Sequence, residues 1–350
     1  MTLDRARQYA DALREAANVP VDVGDEIDMK LPDYADHDKI HRAQKVFKNN
    51  FFAIFYGMYC GLLAILAVPT ILNVLIYTRK SSSDMTAYKR YIQTIYHTLV
   101  WFRNDLKPGT KSWKSLEAVR KMHFSASRSA KKAEVGMINQ KDMAITQYGF
   151  IGFSVLSQKQ TGVQATRQEL EDYCHFWRVL GSVLGIKDEF NLCSEDLDET
   201  MERLEVVRSE FLMPALQFPP KDFESMTRCI ANGLWCFNPR DAYTVVMFMI
   251  KRMIGVPNYC YHEEETPADQ DKSKLEILKF SYYERFEAWC ICFMHEYLLQ
   301  FFLFRWFFNM DTLFHEFLIT YFPFLAFYSF GYKNAFVTIL NKNDQNLMES

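Results

Sequence analysis

The chain has 350 residues, of which 49% are hydrophobic and 16% aromatic, including 30 Phe and 19 Tyr. This length allows one large or two smaller domains, and so aromatic a composition indicates large buried pockets, membrane contact, or both. A formal net charge of −3 provides no basic field, so we expect no nucleic-acid partner.

Several enzyme classes are excluded by motifs that the sequence lacks. It contains no GxGxxG, GxxxxGK[ST], GxSxG or HExxH, which argues against Rossmann dehydrogenases, P-loop ATPases, serine hydrolases and zincins. It also lacks the ExxH pair of di-iron helical bundles. The eight cysteines form no CxxC pair and are typical of reduced core thiols. Haem remains among the redox cofactors, because it requires only one axial histidine and an apolar slot.

The chain begins with a polar extension and then becomes strongly apolar. Residues 1–50 predict a surface helix and a loop, without the apolar run of a secretory signal. The 27 residues of segment 51–77 contain no Asp, Glu, Lys or Arg, which is long enough to span a bilayer. Pro69 and Asn73 favour the alternative, a kinked helix pair buried in a helical core. Both interpretations remain open.

Helical patterns follow from residue 88 onward. Residues 88–102 form a helix in which Arg90, Thr94 and His97 share one stripe, and Ser112 is the expected N-cap of the next helix. Further helices are expected over residues 137–156, 167–184 and 195–211. Alternating strand patterns are absent. The fold class is therefore all-α.

The expected domain organisation has one large multi-helix domain. Residues 51–258 form its main helical part, and residues 259–274, HEEETPADQDKSK among them, form a polar loop. Residues 275–340 form aromatic helices, continuous over 275–308 and with a last apolar stretch at 314–330. These helices either associate with a membrane or lie in the core. Residues 341–350 are a tail.

The most informative local pattern is Arg120–His123–Ser127. Residues three or four apart lie on one helical face, so an imidazole and a guanidinium can point into one pocket. The alternative is that His123 is an ordinary core histidine. Thr94 has a similar alternative, since a mid-helix threonine can donate to the carbonyl of Arg90.

The order of these pieces resembles one family, the helical haem oxygenases that comprise the latex-clearing protein (rubber oxygenase) and the ER-bound oxygenase MpaB. The resemblance covers about residues 55–190. It begins with the apolar helix pair around Pro69 and continues with an Arg four residues before a Thr, here Arg90 and Thr94. The pattern R-x-x-H follows at Arg120 to His123. The remaining pieces are QKDM at Gln140 to Met143, GF at Gly149 and Phe150, WRVLG at Trp177 to Gly181, and LG at Leu184 and Gly185.

The resemblance implies a globin-like helical packing around haem b. His123 takes the position of the family's proximal iron ligand, and Arg90 and Thr94 take the positions of its distal wall. Arg120 and Ser127 fall beside the cofactor, with Arg120 expected to pair with a haem propionate. Three positions depart from the rubber oxygenases. Gln93 replaces a distal lysine, and Ser127 replaces an arginine unless Arg128 substitutes for it. No carboxylate lies near Asn73.

Two functions from different classes follow. The first is a haem-dependent oxygenase that uses O2 on an apolar isoprenoid or lipid. The second is a catalytically inactive, membrane-associated helical protein that retains the fold, favoured by the missing distal acid and lysine. We expect association with an intracellular membrane such as the endoplasmic reticulum. A cytoplasmic protein is the alternative, favoured by the mean hydropathy of −0.17.

Overall fold

The computed structural model describes residues 3–22, 27–237, 242–266 and 271–340. The tail expected at residues 341–350 and part of the expected loop at 259–274 lie outside these ranges. The α-helices, in chain order, are α1 (Leu3–Glu15), α2 (His37–Asn49), α3 (Phe51–Ala64), α4 (Pro69–Thr78), α5 (Asp84–Arg103), α6 (Lys111–Lys132), α7 (Gln140–Leu156), α8 (Gln158–Thr161), α9 (Arg167–Val183), α10 (Leu197–Val206), α11 (Met213–Gln217), α12 (Phe223–Leu234), α13 (Tyr243–Ile254), α14 (Tyr282–Glu296), α15 (Phe302–Tyr321), α16 (Phe324–Phe330) and α17 (Tyr332–Ala335).

The all-α prediction is confirmed. Within the described ranges, the β-type pairing is an isolated bridge between Pro20 and Asn139. One continuous hydrophobic core runs from Tyr9 and Leu13 in α1 to Leu299 after α14. The expected polar extension, residues 1–50, supplies Ile40 and Phe47 to that core through α2.

Helix ends follow local chemistry, with one correction. Ser83 caps α5, Thr166 caps α9 and Ser281 caps α14, each in a reciprocal capping box. The prediction that Ser112 caps α6 is wrong. Thr110 is the N-cap and accepts from the N–H of Trp113 at 3.3 Å, whereas the Ser112 hydroxyl donates to the carbonyl of Val100 at 3.0 Å and joins α6 to α5.

The apolar segment 51–77 is a broken helix pair rather than one straight helix. Helix α3 ends at a 3-10 turn over Ile65–Ala67, and Pro69 then begins α4 at a position where its missing N–H costs nothing. Helix α3 packs closely on α7. A Cβ added to Gly61 would lie 2.0 Å from the carbonyl oxygen of Gly149, so the two backbones touch at this crossing.

The aromatic C-terminal region is also interrupted. The expectation of continuous helix over residues 275–308 is wrong, because a 3-10 turn at Leu298–Gln300 and extended Phe301 separate α14 from α15. Arg305 stabilises the break by donating to the carbonyl of Leu299 at 2.9 Å. None of the described helices is by itself long and apolar enough to cross a membrane. Two bent pairs pass the same test by length and composition, His37–Asn49 with Phe51–Ala67 and Phe302–Tyr321 with Phe324–Phe330.

Candidate active site

Three of the five site residues that the sequence predicts line two cavities: Thr94 lines one, and His123 and Ser127 line the other. The first, which we call the central cavity, has a volume of about 300 Å³ and lies between α3, α5, α12, α14 and α15. The second, the His123 cavity, has a volume of about 340 Å³ and lies between α6, residues 20–22 and residues 137–138.

His123 has the properties of a metal ligand. Its side chain is partly buried, and Nδ1 is fully buried with no hydrogen-bond partner among the described residues. Burial, with a smaller contribution from the positive charge of Arg90, lowers the pKa of His123 to about 4. The imidazole is therefore neutral near pH 7 and keeps a lone pair for a metal.

The walls of the His123 cavity combine apolar and basic side chains. Ser127, predicted on the same helical face, lines it together with Phe124, Arg128 and Lys131. The Ser127 hydroxyl oxygen accepts from the N–H of Ile138 at 2.9 Å, so it holds the far wall in place. Cationic side chains beside an apolar slot suit the carboxylates of haem propionates. His123 would therefore be the residue to bind the iron of a haem, and Arg128 and Lys131 the residues to bind its propionates.

Arg120 has partners within the protein. Its guanidinium is buried and donates to the carbonyls of Asp28 at 2.8 Å and Val183 at 2.9 Å. It also pairs with the carboxylate of Asp22 at 2.7 Å. Arg120 thus fastens the loop after α1 to the end of α9, a contact that sequence reasoning missed because the partners lie more than 60 residues away. Its expected pairing with a propionate stays a prediction.

The two expected distal residues do not line a common cavity. Thr94 lines the central cavity. Its hydroxyl donates to the carbonyl of Arg90 at 3.1 Å, which is the hydrogen bond within the helix that the alternative interpretation of Thr94 predicts. Arg90 donates to the hydroxyl of Thr78 at 3.2 Å and acts electrostatically on His123. Arg90 therefore lies near His123, whereas Thr94 faces the other space.

Two further histidines have structural contacts. His97 is buried, with Nδ1 2.7 Å from the hydroxyl of Ser115, which also accepts from the indole N–H of Trp101. Nε2 of His175 accepts from the backbone N–H of Asp36 at 3.1 Å. Neither contact gathers a set of metal ligands, and no group of three or more His, Cys, Asp or Glu suited to a metal ion occurs in the described part of the chain.

Gln93, where the rubber oxygenases carry a lysine, is also held by the protein. Its amide donates to the carbonyl of Thr338 at 3.2 Å, on the C-terminal side of the molecule. At the position expected for the distal acid, Val74 and Leu75 are buried. Neither departure supplies an ionisable group near the expected oxygen site.

The comparisons with known proteins agree with this fold. The family described as ER-bound oxygenase mpaB/B′/rubber oxygenase, catalytic domain, matches residues 44–228, more than half of the chain. The solved structure of latex clearing protein LCP in the closed state matches with a TM-score of 0.54 and 15% identity, over 88% of this chain and 85% of that one. At this identity the second match establishes the fold alone. No curated protein matches the sequence. The chain therefore belongs to the MpaB and rubber-oxygenase catalytic-domain family, a family of oxygenases.

Proposed function

We propose that this protein is a haem b-dependent oxygenase that uses O2 on an apolar isoprenoid or lipid. The observation that carries the proposal is His123, a neutral imidazole whose buried Nδ1 has no partner among the described residues, beside a cavity lined by Arg128 and Lys131. Family membership supports the oxygenase class. Haem, when bound, supplies the activation of O2 that protein side chains lack.

The surrounding residues define what this chain contributes. His123 would hold the iron from one side, and Arg128 and Lys131 would hold the propionates. The charge of Arg90 helps to keep His123 deprotonated. Asp22 lines the same cavity but pairs with Arg120, so its negative charge is compensated before any anion binds.

The central cavity supports an apolar substrate. Its walls are mainly Phe, Tyr, Leu, Ile and Met, and small-molecule sites of about 300–1,000 Å³ are typically apolar with a few polar groups. Thr94 lies in the wall of this cavity and Arg90 lies one helical turn away. Helix α5 is thus the element between the substrate space and the His123 side.

The experiment that tests haem binding is an absorption spectrum of the purified protein. We expect a Soret band in the wild type and a loss of most of it in His123→Ala. His175→Ala is the matched control, because that buried histidine lies on α9 and contacts Asp36 instead. A wild type without a Soret band, or an undiminished band in His123→Ala, contradicts the proposal.

The second candidate, an inactive protein that retains the fold, is favoured by Gln93 and by buried Leu75 where a base would act. Oxygen consumption distinguishes the two. Haem-loaded protein that consumes no O2 with isoprenoid or fatty-acid substrates supports the inactive protein, and measurable uptake supports the oxygenase.

We further propose association with an intracellular membrane, such as that of the endoplasmic reticulum, through the outer face of α14–α16. From residue 286 to residue 329 no exposed side chain is charged, whereas Phe302, Leu303 and Tyr328 are 68%, 73% and 90% exposed. The ionisable side chains of this stretch turn inward, as Glu296 does to Arg252 and Glu316 does to Arg103. An exposed aromatic face without charge suits the lipid interface.

A further inference from the structure

The central cavity contains a histidine that the family resemblance does not cover. His295 lies on α14, beyond the matched residues 44–228, and is 1% exposed. It lines the central cavity. Its ring packs against Phe52, with ring centroids 5.3 Å apart, and against Tyr56, with centroids 4.1 Å apart. Both neighbours fix the plane of the imidazole.

The hydrogen bond of His295 determines its tautomer. Nδ1 lies 2.7 Å from the backbone carbonyl oxygen of Thr161. A carbonyl oxygen only accepts, so Nδ1 carries the proton. Burial lowers the pKa of His295 to about 4, and the neutral ring therefore presents a bare lone pair at Nε2. That atom is buried and has no partner among the described residues. A buried polar atom without a partner costs stability, which suggests a ligand that satisfies it.

Three threonine hydroxyls of the cavity also present hydrogen-bond acceptors to a ligand. The hydroxyls of Thr94, Thr98 and Thr312 already donate to helix carbonyls, those of Arg90, Thr94 and Phe308. Their oxygens can only accept further hydrogen bonds. A ligand that complements these groups is thus apolar over most of its surface and carries a hydrogen-bond donor.

We propose that the central cavity binds an apolar molecule with a hydroxyl group, and that the hydroxyl donates to Nε2 of His295. This proposal rests on the proposed function in that it names the class of its substrate, an isoprenoid or lipid alcohol. The hydroxyl anchors one end of the molecule at α14 and leaves the hydrocarbon part along the apolar walls of α3 and α5.

Glu287 is the competing anchor. It lines the same cavity two turns earlier on α14, and its Oε2 is also buried without a partner among the described residues, while Oε1 accepts from the backbone N–H of Ala242. Eight residues of helix correspond to about 12 Å. The two anchors would therefore hold a hydroxyl at positions about 12 Å apart along α14.

The test compares two probes with equal numbers of heavy atoms, 1-decanol and 1-methoxynonane, by titration calorimetry on the full-length protein. Only the alcohol donates a hydrogen bond. We expect the wild type to bind one equivalent of the alcohol about 3- to 10-fold more tightly than the ether, the range of one neutral hydrogen bond. We expect His295→Phe to bind both with affinities within about twofold of each other, and Glu287→Gln to keep the preference.

Each outcome decides the proposal. Equal wild-type affinities for the two probes overturn it, since water then satisfies Nε2, and this comparison requires no variant to fold. A preference that survives in His295→Phe, or that is lost in Glu287→Gln, also overturns it. The absorption spectrum is recorded on the same samples. A missing Soret band contradicts haem binding and leaves the alcohol-to-ether ratio interpretable.

Discussion

Arg120 and His123 lie one helical turn apart on α6, yet their side chains have different partners. His123 lines a cavity, and its Nδ1 has no partner in the part of the chain that the structure describes, whereas Arg120 is enclosed by three acceptors of the protein. The sequence placed both residues on one helical face. No local pattern in the sequence indicates that Asp22, Asp28 and Val183 accept hydrogen bonds from Arg120.

Removal of Arg120 tests its structural role. Arg120→Ala leaves the buried carboxylate of Asp22 without a partner, and breaking a buried ion pair in this way costs about 3–5 kcal/mol. We expect a fall of this size in the free energy of unfolding, measured by urea denaturation. The control is Lys121→Ala on the same helix, which removes an exposed pair with Glu117 and should change stability by about 1 kcal/mol or less. Equal effects of the two changes would contradict the role.

The buried histidines predict a pH dependence. Burial lowers the pKa of His97, His123, His175 and His295 to about 4. Between about pH 6.5 and pH 4 the unfolded chain therefore binds more protons than the folded one, so these groups make stability fall as the pH falls through that window. A fully buried histidine such as His295 contributes on the order of 3 kcal/mol by pH 4.

We expect urea unfolding to show a steep loss of stability from pH 7 to pH 4.5, and a shallower loss in His97→Gln, which removes a buried imidazole away from the proposed haem ligand. Stability that stays constant over this range, or an identical slope in the variant, would show that these histidines do not titrate as described.

At the scale of elements, the crossing of α3 and α7 depends on glycine. Gly61 has no room for a Cβ because the backbone of Gly149 is in contact with it. We expect Gly61→Ala to destabilise the fold by about 1–3 kcal/mol or more, through overpacking. In Gly57→Ala, one turn earlier, the atom nearest to the added Cβ is the hydroxyl oxygen of Ser154 at 3.1 Å, so this change should cost less. Thermal unfolding of both variants checks this order, and a greater loss for Gly57→Ala would refute it.

The sequence predicts where helices occur more accurately than it predicts the residues at which they begin and end. The pattern at residues 88–102 lies within α5 and that at 167–184 matches α9, because amphipathic spacing is written in consecutive residues. The N-cap of α6 was assigned two residues late, since Thr110 and Ser112 are both good capping residues. The break between α14 and α15 lies in an aromatic run without Gly or Pro, where sequence offers no stop signal.

For the whole molecule, the exposed aromatic face predicts binding to lipid. We expect the wild type to float with phosphatidylcholine vesicles in a density gradient, and the triple variant Phe302→Ser, Leu303→Ser and Trp306→Ser to lose most of this binding. These side chains are 68%, 73% and 54% exposed, and burial of apolar area drives insertion at about 25 cal/mol per Å².

Phe218→Ser is the control for vesicle binding, because Phe218 is 77% exposed on a different part of the chain. Equal flotation of the triple variant and the wild type contradicts the lipid face. A different outcome is that the wild type does not bind vesicles and sediments as a dimer, whereas the triple variant sediments as a monomer. In that case the aromatic face binds a second copy of the chain instead of lipid.

The sequence by itself determined the helical class and the family, because helical spacing and motif order depend on residues close in the chain. Only the tertiary structure decided which residues share a cavity. Thr94 and His123 line different cavities, and His295 joins Thr94 from 201 residues away. The same is true of Arg120, whose partners come from the loop after α1 and from the end of α9. Contacts of this kind depend on how the helices pack, and no local pattern encodes that packing.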